Sequence, residues 1–428
     1  MKNQDSGNGS GTRRASSLVL GVLLLLVCAA YALSGGWSAP VSLSTPIPPT
    51  FYTTTPAVGI NSSGAQAAAW INESNYLLLQ VAARDAGGSW SKSQTLTPAS
   101  GWNAAEPAVA VGPAGNAVAI WEIYEVNPPN LLVVQASARP AHGAWGPVVT
   151  VSPTSGSATV PQIAMDANGN AVAIWVQSGV IEAATLPAGG VWSAPVALSG
   201  TSASSPTLAV NARGDAVAGW KTSNGAIFVA ERKSGAWTAP VSIAAPAYRA
   251  GGPHLALNGP GDAAIAWSGR GTTLVASRPA NGVWISPTTI STSSAGLTAR
   301  VALDDAGNAV AVFALVKLSG SSYVYPVQAV ARTAGGAWGS AVTISGASDY
   351  SASINLVATP LGTFIAGWVD DNSLNVRSAI RPIGQAKFGA PVTLIGGSQL
   401  DLAVAPGNTA ATWIGGGPSV QVSTNSTP

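Results

Sequence analysis

The sequence predicts an all-β fold: an eight-bladed β-propeller of four-stranded antiparallel blades, closed by an N-terminal strand that completes the last blade. Three observations predict it. Fourteen of the fifteen tryptophans fall into two alternating slots with a period of 45–55 residues, and such a period marks a repeat architecture. One series ends a run of small residues: Trp70, Trp121, Trp175, Trp220, Trp267, Trp368 and Trp413, with Phe313 in the missing turn. The other opens a second run: Trp37, Trp90, Trp145, Trp192, Trp237, Trp284 and Trp338, with Phe388 in the missing turn. Prolines then recur inside that second run, at Pro40, Pro147, Pro195, Pro240, Pro287 and Pro391. Finally, the ends do not balance. A copy of the second run precedes every other element, and the last repeat lacks one.

Each strand follows from residue pattern. In one repeat, residues 206–211 read as strand a, 211–214 as a tight turn, 215–220 as strand b, 226–232 as strand c and 237–243 as strand d. Four short strands joined by turns at even spacing form a meander, the unit of a propeller blade. In the third copy of strand b, Ala171, Ala173 and Trp175 share one face, and Val172 and Ile174 the other. Both faces are apolar, as a sheet held between two neighbours requires. The alanines leave room for the indole, whose burial is worth ~2–3 kcal/mol. Proline removes a ladder donor and is confined to edges and bulges, which makes strand d the solvent-facing edge. The a–b turns start with Asp or Asn and place Gly where φ is positive, as in 166–169, 211–214 and 304–307. Turn chemistry accounts for the Asp166–Asn170 stretch without a calcium ion.

Residues 1–34 stand outside the repeat. Lys2, Arg13 and Arg14 precede an apolar run at 18–30, and Ala30-Tyr31-Ala32 fits a cleavage site, so this segment reads as a signal peptide. The apolar stretch, which ends at about Leu33, is at roughly 16 residues short of the ~20 that span a bilayer. If uncleaved, it is an N-terminal anchor and the only membrane contact. The expected location is secreted or in the cell envelope. Residues 35–428 form one propeller domain. Cys28 is the only cysteine, so the mature chain has no disulfide and no cysteine metal site. No cofactor is expected. Charged residues make up 8% and net charge is +2, with no basic stripe, which argues against nucleic acid.

The repeat, Asp/Asn-x-x-Gly-Asn-Ala-x-Ala-x-Trp followed by Gly-x-Trp-Ser-x-Pro-Val, resembles repeats of uncharacterised exported bacterial β-propeller proteins. The resemblance implies the fold and no activity. The WD40, kelch and sialidase Asp-box signatures are absent from the sequence.

Function is expected on one face. The a–b turns are short and uniform, whereas the b–c loops and d–a connections vary and carry aromatic and charged residues. Varied loops of that composition suit recognition. The candidate binding residues there are Tyr52, Trp102, Glu122, Tyr124, Glu125, Tyr248, Arg249, Asp349, Tyr350, Asp370 and Asp371. Trp102 is the one tryptophan outside both series. The arginines Arg84, Arg139, Arg232, Arg278, Arg332 and Arg377 read as repeat features at the turn-rich end of strand c. No nucleophile elbow, phosphate loop or dinucleotide fingerprint occurs. The sequence therefore points to a non-enzymatic propeller that binds a polysaccharide or a cell-surface protein. The alternatives are a glycoside hydrolase or lyase at the axial funnel, with Glu122 and Asp370 as paired carboxylates, and a structural envelope protein without ligand.

Overall fold

The computed structural model describes residues 36–44, 56–73, 75–98, 100–126, 131–246, 250–269, 271–292, 299–347, 349–415 and 419–425. The leader and the candidates Tyr52, Tyr248 and Arg249 lie outside them. Every regular element among the described residues is a strand. The third repeat shows the plan: Ala158–Met165, Ala171–Gln177, Val180–Leu186 and Val196–Ala197 pair in sequence order as an antiparallel sheet. Five sheets have four strands in this arrangement.

Three places depart from the plan. In the fourth repeat strand d is broken into Ala236–Trp237 and Val241–Ala244, on either side of Pro240. The sixth repeat inserts a hairpin, Lys317–Ser319 with Ser322–Val324, between strands b and c. The seventh and eighth repeats share one strand, Val392–Ala405, giving a seven-stranded sheet rather than two separate ones. Gly396 pairs on the seventh-repeat side and Gly397 on the eighth, so the extended backbone runs through with no connection between the two.

Strand d is shorter than its sequence pattern. The paired stretch follows the proline, at Val149–Thr150 after Pro147 and at Val196–Ala197 after Pro195, because proline offers no N–H to the ladder; ahead of it stand single bonds, Gly146 N–H to the Ala138 carbonyl and Ser193 N–H to the Thr185 carbonyl. These strands are exposed, as expected of an edge. Strands b are the opposite, and Ala263–Gly269 is buried from end to end.

The first aromatic series is the core. Trp70, Trp121, Trp175, Trp220, Trp267, Phe313, Trp368 and Trp413 are all 0–2% exposed. Each packs on strands of the preceding repeat: Trp121 against Ile71 and Leu79, Trp175 against Ile120 and Val134, Trp220 against Ile174 and Ile181. Trp70, in the first repeat, packs with Ile414 and Val420 of the last. The ends of the chain meet in two further ways. Val41–Ser42 pairs with Val420–Asn425, and Asn408 Nδ2 donates to the Ser62 carbonyl at 2.9 Å.

The second series caps the edges. Trp37 and Trp145 are buried and the others partly exposed. Three of the arginines at the end of strand c lie over these rings, Arg84 on Trp90 at 5.7 Å, Arg278 on Trp284 at 5.8 Å and Arg332 on Trp338 at 5.4 Å. Arg139, Arg232 and Arg278 donate to the carbonyls of the turn glycines Gly115, Gly214 and Gly261, so ring contact and turn bonding together account for arginine there. On the turn face, Asp166 Oδ1 accepts from the Asn168 and Asn170 amides, a carboxylate-stabilised turn. Neighbouring turns are tied together: Asn61 donates to Gly112 O, and Asn258 to Asp304 O.

Candidate functional site

The varied-connection face brings four of the eleven sequence candidates together. Asp349 and Tyr350 end the connection into the seventh repeat, and Asp370 and Asp371 end its strand b, Phe364–Asp370. Tyr350 lies edge-on to Tyr325 at 4.4 Å between ring centroids, and the two residues form a backbone bridge. Tyr325 follows the inserted hairpin, whose tip exposes Leu318 and Tyr323. The hairpin is therefore seated beside the aspartates.

The two buried aspartates are held by their surroundings. Asp349 Oδ2 accepts from the Gly346 amide at 3.0 Å and the Trp368 indole at 3.4 Å. Asp370 Oδ1 accepts from the Tyr350 and Asn372 amides, each at 3.3 Å, and Oδ2 accepts from the Ser373 hydroxyl. Arg377 joins them, with guanidinium nitrogens 3.8 Å from Asp349 and 3.6 Å from Asp370. Asp371 stays exposed, and its carboxyl is pushed above the ordinary range by partial burial and by Asp370.

Arg377 corrects the reading of the strand c arginines. It lies opposite Trp368 in mid-strand, near the varied connections, and the repeat position at the strand end belongs to Arg381, opposite Phe364. Counting back from the aromatic of strand b would have separated the two.

A second group of candidates sits in the second repeat. Trp102 starts strand a, Trp102–Val111, pairs with Glu125, and packs half-buried on the cluster around Ile71 and Trp121. Tyr124 pairs with Asn103. Glu122 is partly buried and its Oε2 accepts from the Val160 amide at 3.3 Å. Burial, and then the charge of Glu106, raise its carboxyl, partly offset by that amide. Among the described residues no hydrogen bond or ion pair links this group to the aspartates of the seventh repeat.

A third set of polar residues, largely missed from sequence, lies on the first strands. In every repeat one residue of strand a opposes the residue just before the aromatic of strand b. These are Ala57, Ala108, Gln162, Thr207, His254, Arg300, Asn355 and Asp401. Four reach the first strand of the next repeat. Thr207 Oγ1 accepts from the Leu255 amide at 3.2 Å, and His254 Nδ1 from the Val301 amide at 3.3 Å. Asn355 Nδ2 donates to the Leu400 carbonyl at 3.1 Å, and Asp401 Oδ2 accepts from the Val58 amide at 3.0 Å. First strands of successive repeats touch, and the strand Ala57–Ile60 touches Val392–Ala405. The eight positions thus form a belt where the inner edges converge. Burial pushes the Asp401 carboxyl up to about 6, against its amide bonds and Arg300. Burial and then Arg300 hold the His254 imidazole down to about 3.

A groove of about 370 Å³ opens elsewhere, at the outer edge between the sixth and seventh repeats, with Val342, Ile344, Arg381 and Phe388 in its wall. Phe388 fills the slot that holds a tryptophan in the other repeats, and the smaller ring fills less of it. The groove touches none of the sequence candidates.

No protein-family model matches the chain, and no curated protein matches it. Solved structures do. The WD40 domain of SCAP from fission yeast is similar with a TM-score of 0.50 and 10% identity, over 90% of this chain and 97% of that chain. The likeness shows a β-propeller fold. An alpha-L-arabinanase of Penicillium chrysogenum complexed with arabinobiose is similar at TM-score 0.40 and 13% identity, over 91% of this chain and 98% of its own. The polysaccharide lyase Uly1 is similar at TM-score 0.43 and 8% identity, over 72% of this chain and 87% of its own. At such identities shared architecture says nothing of shared chemistry.

Proposed function

We propose that this chain is an exported, non-enzymatic propeller of eight blades that binds a polysaccharide, or a protein at the cell surface, through its varied-connection face. The convergence of Asp349, Tyr350, Asp370 and Asp371 beside the exposed hairpin is the observation that carries the reading. Exposed tyrosines offer flat apolar area for sugar rings, and neighbouring carboxylates accept from hydroxyls. Asp349 and Asp370 are buried and held by amides, the Trp368 indole and Arg377, and Asp371 is the exposed acceptor among them, which suits a rigid recognition surface better than proton transfer. Closure of the eight blades is supported by Trp70 against the last repeat and by the pairing of Val41–Ser42. Export rests on the leader, with the mature domain secreted or in the envelope.

The test is retention of the full chain on insoluble cell-wall polysaccharide and on arrays of glycans and surface proteins. Tyr323→Ala and Tyr350→Ala are each expected to weaken binding about tenfold, as loss of an interface aromatic does. Unchanged retention by the double variant would remove this face from consideration.

Glu122 supports a second reading, an axial glycoside hydrolase or lyase, because its raised carboxyl lies close to Glu106. Paired carboxyls in unlike surroundings are what that chemistry needs. Under it, reducing ends or unsaturated products accumulate from a polysaccharide panel, and Glu122→Gln abolishes them. Absence of any product from the wild-type chain rejects it.

A further inference from the structure

The belt on the first strands is uneven. Ala57 and Ala108 bring no polar group, and Gln162 and Thr207 are neutral. The next four repeats then place His254, Arg300, Asn355 and Asp401 in unbroken succession. Arg300 is the anomaly among them. Its Nε is shut off from solvent with no hydrogen-bond partner. Its Nη1 makes one long contact, 3.5 Å to the carbonyl of the adjacent Ala299. No carboxylate lies within ion-pair distance among the described residues. Arg84 and Arg332 also leave Nε unpaired, but each lies over a tryptophan ring. Among the described residues no ring lies over Arg300.

A guanidinium enclosed in this way is costly, and proteins normally pair it with an anion. Burial lowers its proton affinity, only to about 10, so it remains a cation at neutral pH. Asp401 does not neutralise it by contact. One Asp401 oxygen is taken by the Val58 amide, and the Leu402 amide and Asn355 also bond the carboxylate. His254 adds a donor. Because Nδ1 accepts from Val301, the neutral ring carries its proton on Nε2. His254 and Arg300 also begin their strands, His254–Leu257 and Arg300–Leu303, so each stands where a varied connection enters its strand. Both side chains keep some accessible surface although protein encloses them deeply.

We propose that an inner passage runs along these first strands and holds an anion site built on Arg300, with His254 Nε2–H beside it, and that it takes the carboxylate of an acidic ligand such as a uronic acid. The planar fork of arginine matches a carboxylate in two parallel hydrogen bonds, and lysine cannot reproduce that geometry. This site is separate from the aspartate–tyrosine surface and does not depend on it. A ligand that enters from the varied-connection face meets Arg300 at the end of its path.

Titration calorimetry of the full chain at neutral pH tests the site with three probes: acetate, D-glucuronate and sulfate, with D-glucose as the neutral control. Glucuronate is expected to bind and glucose to fail. Arg300→Gln and Arg300→Lys are each expected to weaken glucuronate about tenfold or more, and His254→Gln by about threefold. Acetate binding without glucuronate would support the site and restrict it to small carboxylates. Sulfate binding as tightly as either carboxylate would overturn the carboxylate assignment, and binding unchanged by Arg300→Lys would overturn the role of the fork. If the variants fail to fold, the wild-type chain still decides the matter. The Arg300 Nε–H resonance should shift on addition of glucuronate or acetate and stay in place with glucose, and no shift with either carboxylate at about 10 mM rejects the proposal.

Discussion

Asp401 and His254 show how single residues of one belt set opposite dependences on pH. The Asp401 carboxyl rises from 3.8 to about 6 on folding, so between those values the folded chain holds the proton more tightly than the unfolded chain. Stability from this group is therefore lost as pH rises through that window. The His254 imidazole falls from 6.5 to about 3, so the unfolded chain gains the proton first and stability is lost as pH falls below 6.5. Between about pH 4 and 6 the two slopes oppose each other. Asp401→Asn removes one of them. Its urea midpoint is expected to fall on acidification from pH 6.5 to 4 where that of the wild type changes little. The slope is bounded by ~1.4 kcal/mol per pH unit for one proton and is smaller here, because both groups keep some accessible surface. Parallel curves for variant and wild type would contradict the assignment. None of this was visible from residue identity. His254 and Asp401 are ordinary polar letters until register places them on one belt.

Between elements, the fourth and fifth repeats are joined by a polar latch. Glu231 Oε1 accepts from Arg278 Nε at 2.6 Å and from the Trp284 indole at 3.1 Å, and Arg278 also donates to the Gly261 carbonyl. Arg278 is 4% exposed, so loss of its partner leaves a buried charge. Glu231→Ala is expected to cost about 3 kcal/mol in urea unfolding, and Glu231→Gln less, because the amide oxygen keeps one acceptor. A loss below about 0.5 kcal/mol would mean that the pair acts as a surface salt bridge. At this scale much was legible in the sequence. The aromatic ending strand b, the proline in strand d and the Asp- or Asn-led turns each state a local requirement for burial, an edge or a positive φ. The length of strand d was not legible, because the proline interrupts its ladder and the tryptophan that opens the pattern lies ahead of that break. The side of strand c on which Arg377 lies was equally hidden, since two arginines four residues apart compete for one repeat position.

For the whole molecule, the join between the ends is decisive. Trp37 is 4% exposed and packs with Val369 and Trp413, and Val41–Ser42 pairs with the last strand. In an open array, loss of a terminal strand frays one end, because each repeat touches only its neighbours. In a closed ring it breaks the cycle. Trp37→Ala is expected to cost ~3–5 kcal/mol and to broaden the single unfolding transition, which calorimetry and urea titration would detect. A loss confined to the last repeat, read by amide exchange, would favour an open stack.

The sequence by itself determined the repeat, its four strands, its buried aromatic layer and the exposed, proline-marked edge. Each of these is a demand that one repeat makes on its own residues and repeats every 45–55 positions. Only the tertiary structure decided which residues of different repeats meet. It drew Asp349, Tyr350, Asp370 and Arg377 into one cluster, and aligned His254, Arg300, Asn355 and Asp401 on neighbouring inner strands. Such meetings depend on register, on a hairpin inserted in one repeat and on two glycines that carry a strand through. The repeat pattern specifies none of them, because they break its periodicity.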